Sequence, residues 1–168
     1  MDQVVLVDKK DNVLGKVSRK EAHQKGLPHR VSVIYLFNDK GEILVQHRYD
    51  GRLDHSSAGH VDPGESYLEA AQRELSEELG IKNIPLEKFA TALNEELKPN
   101  GDNIKHQYTI YKCKANPVKI NQEEIQKVYW AQPEDVLKDM EKDPKNIKYT
   151  GGFKVSIQHY LKNSTYPE

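Results

Sequence analysis

Apolar residues fall in short blocks separated by polar turns along the N-terminal third of the chain. Val4 to Val7 is a β-branched run, Asp8-Lys9-Lys10-Asp11-Asn12 is a polar turn, and Val13-Leu14 resumes the apolar pattern. That alternation predicts a hairpin. Arg19 to Lys25 predicts a short helix stopped by Gly26 and Pro28. Val31 to Phe37 and Ile43 to Arg48 predict two strands around the turn Asn38-Asp39-Lys40-Gly41, whose residue types suit a tight reversal. Tyr49 to Ser57 is polar, punctuated by Gly51, and reads as a loop. Further on, Phe89 to Leu93 and Gln107 to Cys113 predict strands joined by a polar loop from Asn94 to Lys105, and Val128 to Ala131 predicts another strand. Pro133 opens a helix through Val136, Leu137 and Met140, since proline is tolerated in a first turn where no amide partner exists. A last helix is expected from Phe153 to Leu161. Hairpins interleaved with helices predict an α/β fold with a mixed β-sheet covered by helices, not a regular parallel alternation.

Between these halves lies the segment GHVDPGESYLEAAQRELSEELGI, residues 59–81. Ser66 with Glu69 three residues later forms a capping box, and Gly80 is a helix stop. The helix between them sets Leu68, Ala71, Leu75 and Leu79 on one side. Glu74, Glu77 and Glu78 stand at i, i+3 and i+4, so 3.6 residues per turn brings their carboxylates to one patch. Like charges at this spacing repel unless a Lys, an Arg or a divalent cation offsets them. Oxygen ligands of this kind suit Mg²⁺ or Mn²⁺ better than zinc. Taken alone, three glutamates on a helix are more often a solvated face than a metal site.

Composition narrows the function classes. The chain has 168 residues, enough for one domain spanning 1–168 with a core of useful size. Lys and Arg number 25 against 26 Asp and Glu, so no overall field draws the protein to nucleic acid or anionic lipid. Neither a nucleic-acid nor a membrane partner is expected. The longest apolar run, Val33 to Phe37, is far short of a membrane span, and the acidic start Met1-Asp2-Gln3 does not resemble a signal peptide. A cytoplasmic location follows as the expectation. The single cysteine, Cys113, excludes an internal disulfide and agrees with a reducing compartment.

Gly59, Glu65, Arg73-Glu74, Leu75, Glu77-Glu78, Gly80 and Ile81 stand at the spacing of the Nudix signature. The segment thus resembles the Nudix hydrolase superfamily at every defined position. The resemblance implies an α/β/α sandwich and metal-dependent hydrolysis of a nucleoside diphosphate linked to another moiety. It implies Mg²⁺ or Mn²⁺ held by the Gly59 carbonyl, Glu74, Glu77 and Glu78. It assigns Arg73, paired with Glu65, to orienting the acids, and gives the role of base to one of the box glutamates, Glu77 foremost, or to Glu124 from a neighbouring loop. Gly64 would permit the turn into the helix. A phosphoanhydride substrate also calls for basic side chains, and Arg48, Arg52 and Lys105 are the candidates. A homodimer is left open.

A narrower resemblance involves Leu6-Val7-Asp8, Leu14-Gly15, Ala22-His23, Leu27-Pro28-His29-Arg30, Leu36-Phe37-Asn38, Gly59-His60 and the run Ile120 to Ile125 ahead of Trp130. These are similar to isopentenyl diphosphate isomerase and its Nudix relatives, which makes an isomerase-like enzyme the alternative reading. In that isomerase a cysteine before the Gly-His pair and a glutamate pair in a later strand move the protons. Here Ala58 takes the first place and Ile104-Lys105-His106 the second. Hydrolysis is therefore favoured. His23, His29 and His60, from neighbourhoods where the isomerase uses histidines, form a possible transition-metal set. Trp130, Tyr129 and Phe153 are expected in the core rather than stacked on a base.

Overall fold

The structure, a computed structural model, describes residues 2–163; Met1, part of the acidic start considered above, lies outside them. Nine strands and four helices follow in the order β1 (Gln3–Val7), β2 (Val13–Ser18), α1 (Arg19–Lys25), β3 (His29–Phe37), β4 (Ile43–Arg48), β5 (Leu53–Asp54), β6 (Ser57–His60), α2 (Tyr67–Leu79), β7 (Glu87–Leu97), β8 (Asn103–Lys114), β9 (Ile125–Ala131), α3 (Pro133–Met140) and α4 (Gly151–Asn163). β3 is the axis of the mixed sheet. It runs parallel to β8 from His29↔His106 to Phe37↔Lys114 and antiparallel to β6 from Val31↔His60 to Ile34↔Ser57. β7 pairs antiparallel with β8, and β4 pairs antiparallel with β9 and β5.

Strand alternation divides the core between two faces. Val31, Val33 and Tyr35 join Tyr108, Ile110 and the α4 residues Phe153, Ile157 and Tyr160. Ile34 and Leu36 turn the other way, onto Leu75 and Leu79 of α2. Helices therefore cover both faces of the sheet, the expected α/β sandwich. Each fully buried Leu or Ile contributes about 1.5–3 kcal/mol relative to exposure, and β3 supplies buried residues to both layers. The hairpin of β1 and β2, helix α1, the β3–β4 pair and both C-terminal helices lie where the pattern puts them.

Four expectations need correction. Asn94 to Lys105 is not one loop: β7 continues to Leu97, β8 begins at Asn103, and their register runs out to Leu97↔Asn103. Asn94 is buried and lines the main cavity together with Glu96, so inward positions here are polar and the apolar alternation that signals a strand is missing. Leu68 is exposed, and Ala70 takes an inward place in α2 beside Val5, Val7 and Val61. Tyr129 is also exposed, whereas Phe153 is fully buried and Trp130 packs partly buried against the α2 layer. Within the expected loop from Tyr49 to Ser57, Leu53 and Asp54 form the short β5, whose Leu53 bonds by main chain to Lys148 and Thr150. Among the described residues no helix is long and apolar enough to cross a membrane.

Candidate active site

The turn and helix after β6 carry the charged cluster. Gly64 adopts φ +90° in the turn closed by Glu65 N–H to Asp62 O. Ser66 then caps α2: its hydroxyl accepts from Glu69 N at 3.1 Å and Glu69 Oε1 accepts from Ser66 N at 3.0 Å. At the other end Gly80 takes φ +69°, and a Cβ there would come within 2.9 Å of the Lys119 backbone. That closeness reflects a wrap: Val118 and Lys119 donate to Leu79 O and Asn121 donates to Glu78 O. The wrap delivers Glu124 to the carboxylates of α2.

Arg73 organises them. Its Nε and Nη2 donate to Glu65 Oε2 and Oε1 at 2.8 and 3.0 Å, a bidentate fork. Nη2 also donates to the His60 carbonyl at 3.0 Å, and Nη1 donates to Glu74 Oε1 at 2.7 Å and lies 3.5 Å from Glu77 Oε2. The fork holds the Glu65 carboxyl below its ordinary range. Glu74 behaves oppositely: burial raises it, and Glu77 and Glu124 add to the rise that Arg73 opposes. Glu78 is the most buried member. Burial pushes it up to about 8, with Glu74 and Glu124 adding repulsion. Its Oε1 accepts from the Ser57 hydroxyl at 2.7 Å and lies 3.4 Å from the Ala58 amide and Gln46 Nε2, which fixes its orientation.

Gly59 is required by space. A Cβ at that position would lie 2.1 Å from Glu74 Cδ, so only glycine lets the carboxylate rest on the β6 backbone. Gly59, Glu74, Glu77, Glu78 and Glu124 all line one cavity of about 1040 Å³. A converging set of carboxylates, one of them buried and one resting on glycine, fits a hard divalent cation bound through oxygen. The NUDIX domain family model matches residues 26–150. The chain belongs to the Nudix family.

It is 33% identical over 143 residues to an uncharacterised Nudix hydrolase of Yersinia pestis, covering 81% of this chain and 76% of that one. It is 35% identical over 140 residues to isopentenyl-diphosphate Delta-isomerase 2 of Photorhabdus laumondii, covering 77% of each. The fold is similar to a crystal structure from Deinococcus radiodurans with TM-score 0.76 and 23% identity, covering 98% of this chain and 100% of that one. The family hydrolyses phosphoanhydride bonds, and this Nudix chain is an enzyme of that class.

Other expected residues are placed unequally in the Nudix cavity. Arg48 and Arg52 line it, yet Asp50 Oδ2 lies 3.0 Å from Arg48 and 3.2 Å from Arg52, and Asp54 lies 3.3 Å from Arg48. Both guanidiniums are thus shared with acids before any phosphate arrives. Lys105 is not among the cavity-lining residues; alternation along β8 turns it away from its neighbour His106, which is. Arg19 and Lys98 line the cavity instead. Cys113 is buried on the α2 side of the sheet and cannot replace the thiol missing at Ala58.

Two groups escaped the sequence reading. Asp54 and His55 form a buried pair, with His55 Nδ1 2.8 Å from Asp54 Oδ1, and Thr150 donates to Asp54 at 3.0 Å. Burial would push Asp54 up, but His55 and Arg48 hold it well below the usual carboxylate range. The second group adds His106 to the expected set of His23, His29 and His60: one ring nitrogen from each lies within 4.8 Å of the others. The register could have found it, since His29 faces His106 and Val31 faces His60. Burial keeps these rings neutral, pushing His29 to about 4 and His60 to about 3, and lowering His23 and His106 as well.

Proposed function

We propose that the protein is a divalent-metal-dependent pyrophosphohydrolase that cleaves a nucleoside diphosphate linked to another moiety. The observation carrying this reading is Glu78: a buried carboxyl, raised to about 8 and oriented by Ser57, at the centre of an acidic cavity. A buried carboxyl of this kind is neutralised either by its own proton or by a cation, and the carboxylates of Glu74, Glu77 and Glu124 at the same cavity favour the cation. We assign Glu74, Glu77, Glu78 and the Gly59 carbonyl to holding Mg²⁺ or Mn²⁺. When bound, such a cation neutralises phosphate oxygens and lowers the pKa of an attacking water.

The chain's own residues supply the rest. Arg73 ties Glu74 to Glu65 and to the His60 carbonyl, so the metal-holding carboxylate is placed before substrate arrives. Glu77 and Glu124 are exposed at the same cavity, and one of them accepts the proton of the attacking water. Arg48 and Arg52 grip the phosphates when Asp50 yields them. The isomerase reading draws on the 35% identity to the Photorhabdus laumondii isomerase, but Ala58 offers no proton at the position where that chemistry uses a thiol. A carboxylate outside Ile104-Lys105-His106, that of Glu96, does line the cavity, where Lys98 donates to it at 3.3 Å.

The test is a panel of nucleoside diphosphate derivatives incubated with Mg²⁺ or Mn²⁺, with EDTA controls and a parallel assay of deuterium exchange into isopentenyl diphosphate. Metal-dependent cleavage of at least one derivative, without exchange, is expected. Full turnover in EDTA would contradict the mechanism, and exchange without cleavage would favour the isomerase.

A further inference from the structure

Asn94 of β7 is only 4% exposed, yet among the described residues its carboxamide makes a single hydrogen bond, from Nδ2 to the Tyr108 hydroxyl at 3.4 Å. A carboxamide offers two donor hydrogens and two acceptor lone pairs, so most of that capacity is unused where an unsatisfied polar group is costly. Tyr108 of β8, also 4% exposed, accepts this bond, and its own proton has no acceptor among the described residues. Burial, with Asp54 and Glu96 adding, raises the hydroxyl well above its ordinary range, so it stays a donor. Glu96 lies two residues beyond Asn94, on the same face of β7. Lys98 donates to its Oε1 at 3.3 Å, and among the described residues Oε2 has no partner.

The first turn of α4 is cut back around these groups. A Cβ on Gly152 would lie 2.1 Å from the Tyr108 hydroxyl oxygen and 3.4 Å from Asn94 Nδ2, and one on Gly151 would lie 3.4 Å from Glu96 Oε2. Glycine is a poor helix former, and at 152 the close approach of Tyr108 requires it. Asn94, Glu96, Tyr108 and Gly152 line the cavity that also holds the α2 carboxylates, so its two sides are built differently. On α2, acids converge as they do around a cation. On β7 and β8, single donors and acceptors stand side by side. A carboxylate only accepts hydrogen bonds and repels phosphate, so the Glu96 side suits a neutral group that brings its own N–H donor.

We propose that Asn94, Glu96 and Tyr108 determine specificity by reading the base of the nucleotide, selecting an amino group beside a ring nitrogen, the edge shared by cytosine and adenine. For the class of ligand, this rests on the hydrolase function proposed above. The amino hydrogens are donated to Asn94 Oδ1 and Glu96 Oε2, and the ring nitrogen accepts from the Tyr108 hydroxyl. Asparagine with adenine and a carboxylate with the cytosine amino group are the pairings that donor and acceptor geometry favours. Uracil and hypoxanthine reverse both atoms of this edge. Their carbonyl would face the Glu96 carboxylate and their ring N–H would meet the Tyr108 hydroxyl proton, leaving buried groups unpaired.

The test measures equilibrium binding of CMP against UMP, and of AMP against IMP, to the full chain in Mg²⁺, alongside cleavage of the four matching nucleoside diphosphate glucoses. The amino-bearing member of each pair should bind about 10- to 100-fold tighter. Glu96→Gln puts an N–H donor where the carboxylate stood and should bring both ratios near unity, with thermal melts reporting that the fold is kept. Should Glu96→Gln fail to fold, the wild-type ratios decide alone. Equal binding within each pair, preference for the carbonyl-bearing member, no binding of any of the four, or wild-type ratios in a folded Glu96→Gln would overturn the proposal. Cleavage without base preference would overturn it and leave the hydrolase reading standing; base-selective binding without cleavage would do the reverse.

Discussion

Gly59 and His60 are neighbours in β6, yet they serve two clusters of opposite design. On one side Glu74, Glu77 and Glu78 come from a single helix, carry charge, and are tied by Arg73 to Glu65. On the other, His23, His29, His60 and His106 come from four elements, His29 buried and the other three half-buried, with burial lowering the pKa of each ring. The first cluster is set by helical period and stays partly wet, suited to a cation that meets substrate. The second is set largely by strand register, and His23, His60 and His106 line the same cavity as the carboxylates. The contrast shows how one short strand can meet a charged cluster with its backbone and a neutral imidazole cluster with its side chain.

The hardest blow to the charged side is Gly59→Ala. The new Cβ would sit 2.1 Å from Glu74 Cδ, forcing the carboxylate or the strand to move; a displacement near 1 Å costs about 100-fold in turnover. Steady-state rates should fall by that order, and a variant with wild-type rates would show that the close approach is dispensable. Next is Arg73→Ala, which releases Glu65, Glu74 and the His60 carbonyl together. Losing charge-assisted bonds of this kind should cost roughly 2 kcal/mol of stability as well as rate. Arg73→Lys should rescue little, because an ammonium cannot reproduce the fork.

A smaller effect separates the clusters by pH. Without divalent cation, Glu78 holds its proton to about 8 in the fold against an ordinary 4.5. Between those values the unfolded chain binds fewer protons than the native one, so stability declines as pH rises. The contribution is complete below 4.5 and gone above about 8. Glu78→Gln should flatten that decline in thermal melts, raising the melting temperature at pH 8 by about 2–4 °C for each kcal/mol relieved. An unchanged pH profile would show that Glu78 ionises freely. The smallest effect is expected at Arg52→Ala, whose guanidinium is shared with Asp50: KM should rise less than about tenfold with kcat unchanged.

The same contrast explains what could be read from the chain. The α2 cluster was legible because the capping pair Ser66 and Glu69, the stop at Gly80 and the glutamates all obey local rules. His106 was not, since nothing within a few residues of it marks a ligand; only the parallel pairing of β3 with β8 brings it to His29. The ends of β7 and β8 were misread for a related reason. Asn94 and Glu96 point into a polar cavity, and a strand facing such a cavity lacks the apolar alternation that reveals strands facing a core. Leu68 shows the converse: it fits an apolar stripe in one dimension, but the helix is rotated so that Ala70 is buried.

The most direct test of the carboxylate side as the reaction centre compares wild type and Glu78→Gln hydrolysing the same nucleoside diphosphate derivative in saturating Mg²⁺. The substitution keeps shape and removes one charge. Turnover should drop by about 100- to 1,000-fold, while the melting temperature at neutral pH stays the same or rises. Turnover by Glu78→Gln equal to that of the wild type would contradict the account.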